Sequence, residues 1–249
     1  MRARAFFSYY GAKWTLAPKY PRPLGDHIVE PFAGSAQYAT LHHKRRVTLV
    51  EKNPVLVGVW RWLIAADARE VLSMPLIEPE QSVDDLNLCQ EAKWFVGFWL
   101  NRATTMPRKS MSKWTRDYRH LKPGAVWSSY IRQRIAEQIH ICNHWEIIEG
   151  DYSRAPVQAG DCVFIDPPYI GKKGGYYPNG SASLDYDRLA EWCLRLDAQV
   201  IVCEGAGAKW LPFEPFAEAP SAQNRKGKTS SEVVWLKGCP KQTSLMDLI

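Results

Sequence analysis

The 249-residue chain has no Cys-x-x-Cys pair, no internal repeat and no low-complexity tract. Its six cysteines (Cys89, Cys142, Cys162, Cys193, Cys203, Cys239) lie mostly in or beside apolar runs. They read as reduced core thiols of a cytosolic protein, not as disulfides or zinc ligands. The histidines (His27, His42, His43, His120, His140, His144) are scattered without metal spacing, so no metal is expected. No apolar run approaches the length of a membrane span, and Met1–Phe7 lacks the apolar stretch of a signal peptide, so no membrane partner is expected. The glycine-rich dinucleotide signature GxGxxG is missing too. The length suits one domain, or one domain carrying an insertion. A net charge of +6 and a pI near 9.0 mildly favour an anionic partner.

The stretch that organises the rest is Asp166-Pro167-Pro168-Tyr169, directly after the apolar run Cys162–Ile165 and before the glycine-rich Gly171–Tyr177. A carboxylate at a strand end, two prolines that cannot continue a ladder, and an aromatic make a rigid corner. It offers acceptors without competing N–H groups and a flat ring, which suits an exocyclic amine on a planar base. Taken alone, it also fits a Pro-Pro turn with a solvated aspartate.

Upstream, Phe6–Tyr20 is aromatic and contains Gly11-Ala12-Lys13, a tight turn that would aim a cation at a ligand. His27–Phe32 reads as a first strand, Ala33–Ala36 as a small-residue turn, and Gln37–Leu41 as the opening of a helix. Such a unit seats a ligand on a helix N-terminus. Val47–Glu51 reads as a second strand ending in an acid 17 positions after Gly34, the spacing of a ribose-binding carboxylate. Pro54 starts a helix through Ile64. Residues 69–91 carry prolines and acids and read as a connector.

Residues 92–134 then hold ten Lys/Arg against the single acid Asp117, with eight aromatics interleaved. Trp94, Phe95, Phe98 and Trp99 read as the core of a small helical insertion. Arg108, Lys109, Lys113, Arg116, Arg119 and Lys122 read as phosphate contacts. The α/β pattern resumes with a helix over 130–142, strands over 144–149 and 161–166, a helix over 184–196, a strand over 199–203, and an antiparallel pair from 214–217 and 232–236. Between the last two lies a basic loop with Arg225, Lys226 and Lys228. Lys172 and Lys173 extend the basic set.

Tyr9-Tyr10-Gly11-Ala12-Lys13, Val29–Ala36, Glu51-Lys52-Asn53-Pro54, Gly150-Asp151-Tyr152 and Asp166–Tyr169 occur in that order. Together they resemble the D12 class of DNA adenine N6-methyltransferases, phage-type members in particular. The likeness covers both ends of the chain but not 69–128, and the family would place a glycine where Ala36 or Gln37 stands. It implies an α/β fold, a Rossmann-like class I methyltransferase sheet formed by 1–68 and 129–249, with 69–128 as an inserted, mainly helical target-recognition region. It implies S-adenosyl-L-methionine as cofactor, held by Tyr9, Tyr10, Lys13, Glu30, Phe32, Gly34, Ser35, Glu51, Asp151, Tyr152 and Asp166. Catalysis would fall to Asp166, Pro167, Pro168 and Tyr169, on double-stranded DNA, in a monomer or weak dimer in the cytoplasm of a bacterial or phage-infected cell. The acceptor corner selects an amine more directly than a base. Cytosine N4, RNA, or nucleic-acid binding without catalysis therefore remain alternatives.

Overall fold

A computed structural model describes residues 3–101, 104–118, 123–171, 174–178, 180–220 and 229–239. The basic residues Arg119, Lys122, Lys172, Lys173, Arg225, Lys226 and Lys228 lie outside these described residues. Among them, five parallel strands, β1 (His27–Glu30), β2 (Arg46–Glu51), β3 (Glu146–Glu149), β4 (Cys162–Ile165) and β5 (Gln199–Gly205), join β6 (Glu214–Pro220) and β7 (Thr229–Lys237). The sheet order is β3-β2-β1-β4-β5-β7-β6, with β7 antiparallel to both of its neighbours. The 3-2-1-4-5 part is the order of an open doubly wound sheet, and it reverses direction between β1 and β4.

The helices are α1 (Gln37–Leu41), α2 (Pro54–Ala65), α3 (Ala68–Ser73), α4 (Gln90–Leu100), α5 (Lys113–Tyr118), α6 (Ser129–Gln138) and α7 (Tyr186–Arg195). Capping sets several boundaries. Asn53 accepts from the Val55 N–H ahead of Pro54 and starts α2. Asp185 accepts from the Arg188 N–H and starts α7 two residues later than the sequence suggested. The expected connector over 69–91 is partly wrong: Asp67 caps α3 through the Glu70 N–H, and the helix ends at Ser73, before the first proline of that stretch. The strand expected over 27–32 stops at Glu30, just short of Pro31, which has no N–H to donate. The helix expected to run to Cys142 tightens into a 3-10 turn after Gln138.

Residues alternate between two faces of the central strands, as pleating requires. Val29, Val163, Ile165, Val200 and Val202 pack with Leu189 and Cys193 of α7. The other face is aromatic: Phe7 lies 5.2 Å from Phe98, and Trp60 lies 5.6 Å from Trp145. Phe95, Phe98 and Trp99 are buried in this same cluster and Trp94 packs against it, so the helices of 68–100 share the core of the sheet. Buried indoles need acceptors, and several find backbone: Trp60 donates to Gly34 O (2.8 Å), Trp99 to Phe6 O (3.0 Å) and Trp127 to Pro75 O (2.9 Å). Much of the tryptophan content is thus structural. No helix of the described residues is long and apolar enough to cross a membrane.

Candidate functional site

A cleft opens over the carboxyl ends of β1, β2 and β4, at the reversal point of the strand order. Its floor is the turn after β1. Gly34 and Ala36 both adopt positive φ (47° and 45°), and Trp60 holds the Gly34 carbonyl from below. Two acids fix the turn. Glu51 accepts from the Gly34 N–H at 3.0 Å through one oxygen and from the Asn53 N–H at 2.9 Å through the other. Glu30 accepts from the Ala39 N–H at 2.5 Å. Burial lifts the Glu51 carboxyl above its ordinary value against the pull of those N–H groups. Burial likewise pushes Glu30 up to about 8, opposed by the Ala39 N–H and reinforced by the charge of Asp166.

The N-terminal arm closes one side. A Cβ on Gly34 would sit 3.4 Å from the Tyr9 ring. At Gly11, φ is +75°, and a Cβ there would fall 2.3 Å from the Tyr177 hydroxyl, so only glycine fits this approach. Tyr177 in turn donates to Tyr10 O at 3.3 Å. On the far wall Phe32 and Tyr152 lie ring to ring, 5.8 Å apart at 23°. Asp151 is exposed at the mouth, and its carboxyl is held below the usual range mainly by the Ser153 hydroxyl.

The corner after β4 is densely braced. The Lys13 ammonium lies 2.7 Å from Asp166 Oδ1 and 3.3 Å from Glu232 Oε1, and 4.6 Å from the centre of the Tyr169 ring. Tyr169 donates its hydroxyl to Glu232, Tyr186 donates to Pro168 O, and the Ile170 N–H donates to Glu204 Oε2 at 3.3 Å. Burial alone would lower Lys13, but Asp166 and Glu232 outweigh it and the ammonium is held above its ordinary range. Burial raises Asp166, opposed by Lys13.

All eleven residues assigned to cofactor binding border this one cleft, and Pro168 does too. Pro167 and Tyr169 do not border it: Pro167 is buried, and the Tyr169 ring packs beside Gly205 under Lys13. Of the described basic residues, Arg108, Lys109 and Lys113 are exposed away from the cleft, and Arg116 is half-buried. Lys109 pairs with Asp84 at 2.6 Å and Arg116 with Glu80 at 3.2 Å, so acids of the preceding segment partly balance a run that looks unbalanced along the chain. The sequence reading missed Tyr177, Arg188 and Gln37 in the cleft and Glu232 behind the corner. Glu232 did carry a signal: it is an acid leading the apolar strand run Val233–Leu236.

No family model matches the chain, and no curated protein matches it. Among solved structures, a conserved hypothetical protein from Streptococcus pyogenes aligns over 84% of this chain and 84% of its own, at 13% identity and a TM-score of 0.34. A likeness that distant carries no argument.

Proposed function

We propose that the chain is an S-adenosylmethionine-dependent methyltransferase of the D12 type, which methylates adenine N6 in double-stranded DNA after extruding the base. The observation that carries this reading is convergence. Stretches beginning at Tyr9, Val29, Glu51, Gly150 and Asp166 meet in one cleft at the switch point of the sheet. The mostly parallel seven-stranded sheet, with β7 antiparallel between β5 and β6, is compatible with the Rossmann-like fold that the resemblance implies. On this reading 1–68 and 129–249 form the catalytic part, and 69–128 the target-recognition region.

The side chains suit the cofactor. Glu51, Asp151 and Asp166 line the cleft together with Lys13, Lys52 and Arg188, a mixture of both signs that suits a zwitterionic ligand. Each Glu51 oxygen accepts one backbone N–H, and a carboxylate has about four acceptor sites, so two remain for a pair of ribose hydroxyls. Phe32 and Tyr152 give an apolar wall for a planar ring. When bound, S-adenosylmethionine supplies an electrophilic methyl group on a sulfonium.

The chain's own residues do the rest. The target amine is a poor nucleophile because its lone pair is delocalised into the ring. Asp166, which borders the cleft, accepts from one of the amine's N–H groups and favours a pyramidal nitrogen with the lone pair freed. The second acceptor that the resemblance puts at Pro167 does not border the cleft. Lys13, 2.7 Å away, opposes the rise that burial imposes on the Asp166 carboxyl. Extruding a base from a duplex costs about a few kcal/mol, which exposed cations such as Arg108 and Lys113 offset at the phosphates. Transfer of radiolabelled methyl, followed by nucleoside chromatography, tests the reading. Label in N6-methyladenine from DNA is expected. Label in cytosine or RNA moves the substrate to the alternative, and no transfer to any nucleic acid leaves a binding protein.

A further inference from the structure

We propose that Glu232, on the antiparallel strand β7, is a positioning residue for this reaction: it sets Lys13 and Tyr169 against Asp166 from behind the cleft. This rests on the methyltransferase reading. Glu232 is buried and does not border the cleft, so it touches neither the extruded base nor the cofactor. Its Oε1 collects three donors, two from the N-terminal arm and one from the corner after β4. Tyr20 donates at 3.2 Å, Tyr169 donates its hydroxyl, and the Lys13 ammonium stands at 3.3 Å. Glu232 pairs across the sheet with Gly205, and a Cβ on Gly205 would come within 3.2 Å of the Tyr169 ring. The backbone opposite Glu232 therefore gives up a side chain to admit the ring whose hydroxyl Glu232 holds.

The charge balance points the same way. Acceptor atoms of Asp166, Cys203 and Glu232 lie within 4.8 Å of one another, and the Lys13 ammonium bridges the two carboxylates. One cation is shared between two anions. Asp166 is thus faced by Lys13 from the arm, Glu232 from β7 and Cys203 from β5, with Tyr169 and Tyr177 beyond its own strand. Glu30 from β1 and Glu204 from β5 also face this corner, and burial raises both carboxyls above their ordinary values. Of the two carboxylates Lys13 bridges, only Asp166 borders the cleft, so removing the charge of Glu232 leaves Lys13 wholly to Asp166.

Glu232→Gln keeps the shape and removes the charge. The expected result is wild-type cofactor affinity by calorimetry, with kcat down about 10- to 100-fold, the loss seen when the hydrogen-bonding partners of metal-ligating residues are removed. The Asp166 titration, read by carbon-13 NMR of labelled aspartate with Asp166→Asn for assignment, should move to lower pH. The acid limb of the kcat profile should move with it. An unmoved titration, with or without a loss of kcat, overturns the proposal, because Glu232 would then not govern the charge balance at Asp166, and a moved titration with wild-type kcat overturns it as well. If wild type transfers no methyl, the functional reading fails, while the titration still decides the role of Glu232 at the corner. If Glu232→Gln does not fold, Tyr169→Phe, which removes only the tethering hydroxyl, decides: kcat lowered at least about 10-fold with cofactor affinity kept supports it, and wild-type kcat overturns it.

Discussion

Replacing Glu51 by glutamine tests the cofactor site most directly, because the structure separates its cost to the fold from its cost to the ligand. Both Glu51 oxygens accept backbone N–H groups, at 3.0 and 2.9 Å. Glutamine keeps one acceptor and turns an NH2 toward the other donor, leaving one N–H unpaired at about 1–3 kcal/mol. Part of that is returned, since burial already disfavours the charge at this position. The expected loss of stability is therefore at the low end of the range. Ligand binding has no such offset. Charge-assisted hydrogen bonds to ribose hydroxyls contribute about 1.5–3 kcal/mol, so Kd for S-adenosylmethionine should rise roughly 10- to 150-fold. Calorimetry well below the melting temperature, with near-ultraviolet circular dichroism to confirm the fold, measures both effects. A folded variant with wild-type Kd refutes the argument and removes Glu51 from the site.

Asp166→Asn should lower methyl transfer by about 10²–10³-fold while duplex binding stays near wild type, measured by single-turnover transfer and by anisotropy. Equal losses in both would place Asp166 in DNA binding instead. Glu30 ionises near 4.5 when unfolded and near 8 when folded, so the folded state holds an extra proton between those values and stability falls as pH rises through that window. Glu30→Gln should remove that slope, at most about 1.4 kcal/mol per pH unit, from melting temperatures of the ligand-free protein. Matching slopes in the two proteins would mean Glu30 ionises normally. Neutralising Arg108 and Lys113 should weaken DNA binding and flatten its log–log salt dependence by about 0.9 per lost phosphate contact, with cofactor affinity unchanged. An unaltered slope would make them a solvated face.

The elements that were legible in the sequence are those whose signal is local. Buried parallel strands read as short apolar runs, and Cys162–Ile165 and Gln199–Cys203 are such runs. Glu51 was legible because its spacing from Gly34 reflects one strand, turn and helix unit, and the structure closes that unit with a direct hydrogen bond. The aromatics of α4 were legible as core from their helical spacing. What was not legible depends on pairing in space. Charge counted along 92–134 missed Glu80 and Asp84, which lie upstream in sequence but reach Arg116 and Lys109. Tyr169 read as a flat ring for a planar base, and the anchoring of its hydroxyl by Glu232, 63 residues away, left no local mark. Ala36 is a further case. Its φ of 45° belongs to the left-handed region where glycine is favoured, so the mark of this turn lay in the glycine that the family resemblance places at Ala36 or Gln37 and not in the alanine itself.

Residue chemistry alone would have pointed elsewhere as well. Asp161 Oδ2 lies 3.0 Å from His27 Nδ1, and Thr48 Oγ1 lies 2.9 Å from His27 Nε2, the acid, imidazole and hydroxyl order of a nucleophilic triad. Three facts argue against such a role. Thr48 is 1% exposed, so no substrate reaches its hydroxyl. That hydroxyl also donates to Glu146 at 3.4 Å, which ties it to β3. The group sits at the entry ends of β1, β2 and β4, opposite the ends that carry Glu30, Glu51 and Asp166, and open α/β sheets bind ligands at the carboxyl ends of their strands. Its contacts join four segments that must start in register, and buried polar groups satisfied in this way specify an arrangement more than they catalyse. The same side-chain types thus clamp the sheet at one end and line the cleft at the other. What separates the two roles is the direction of the strands beneath them.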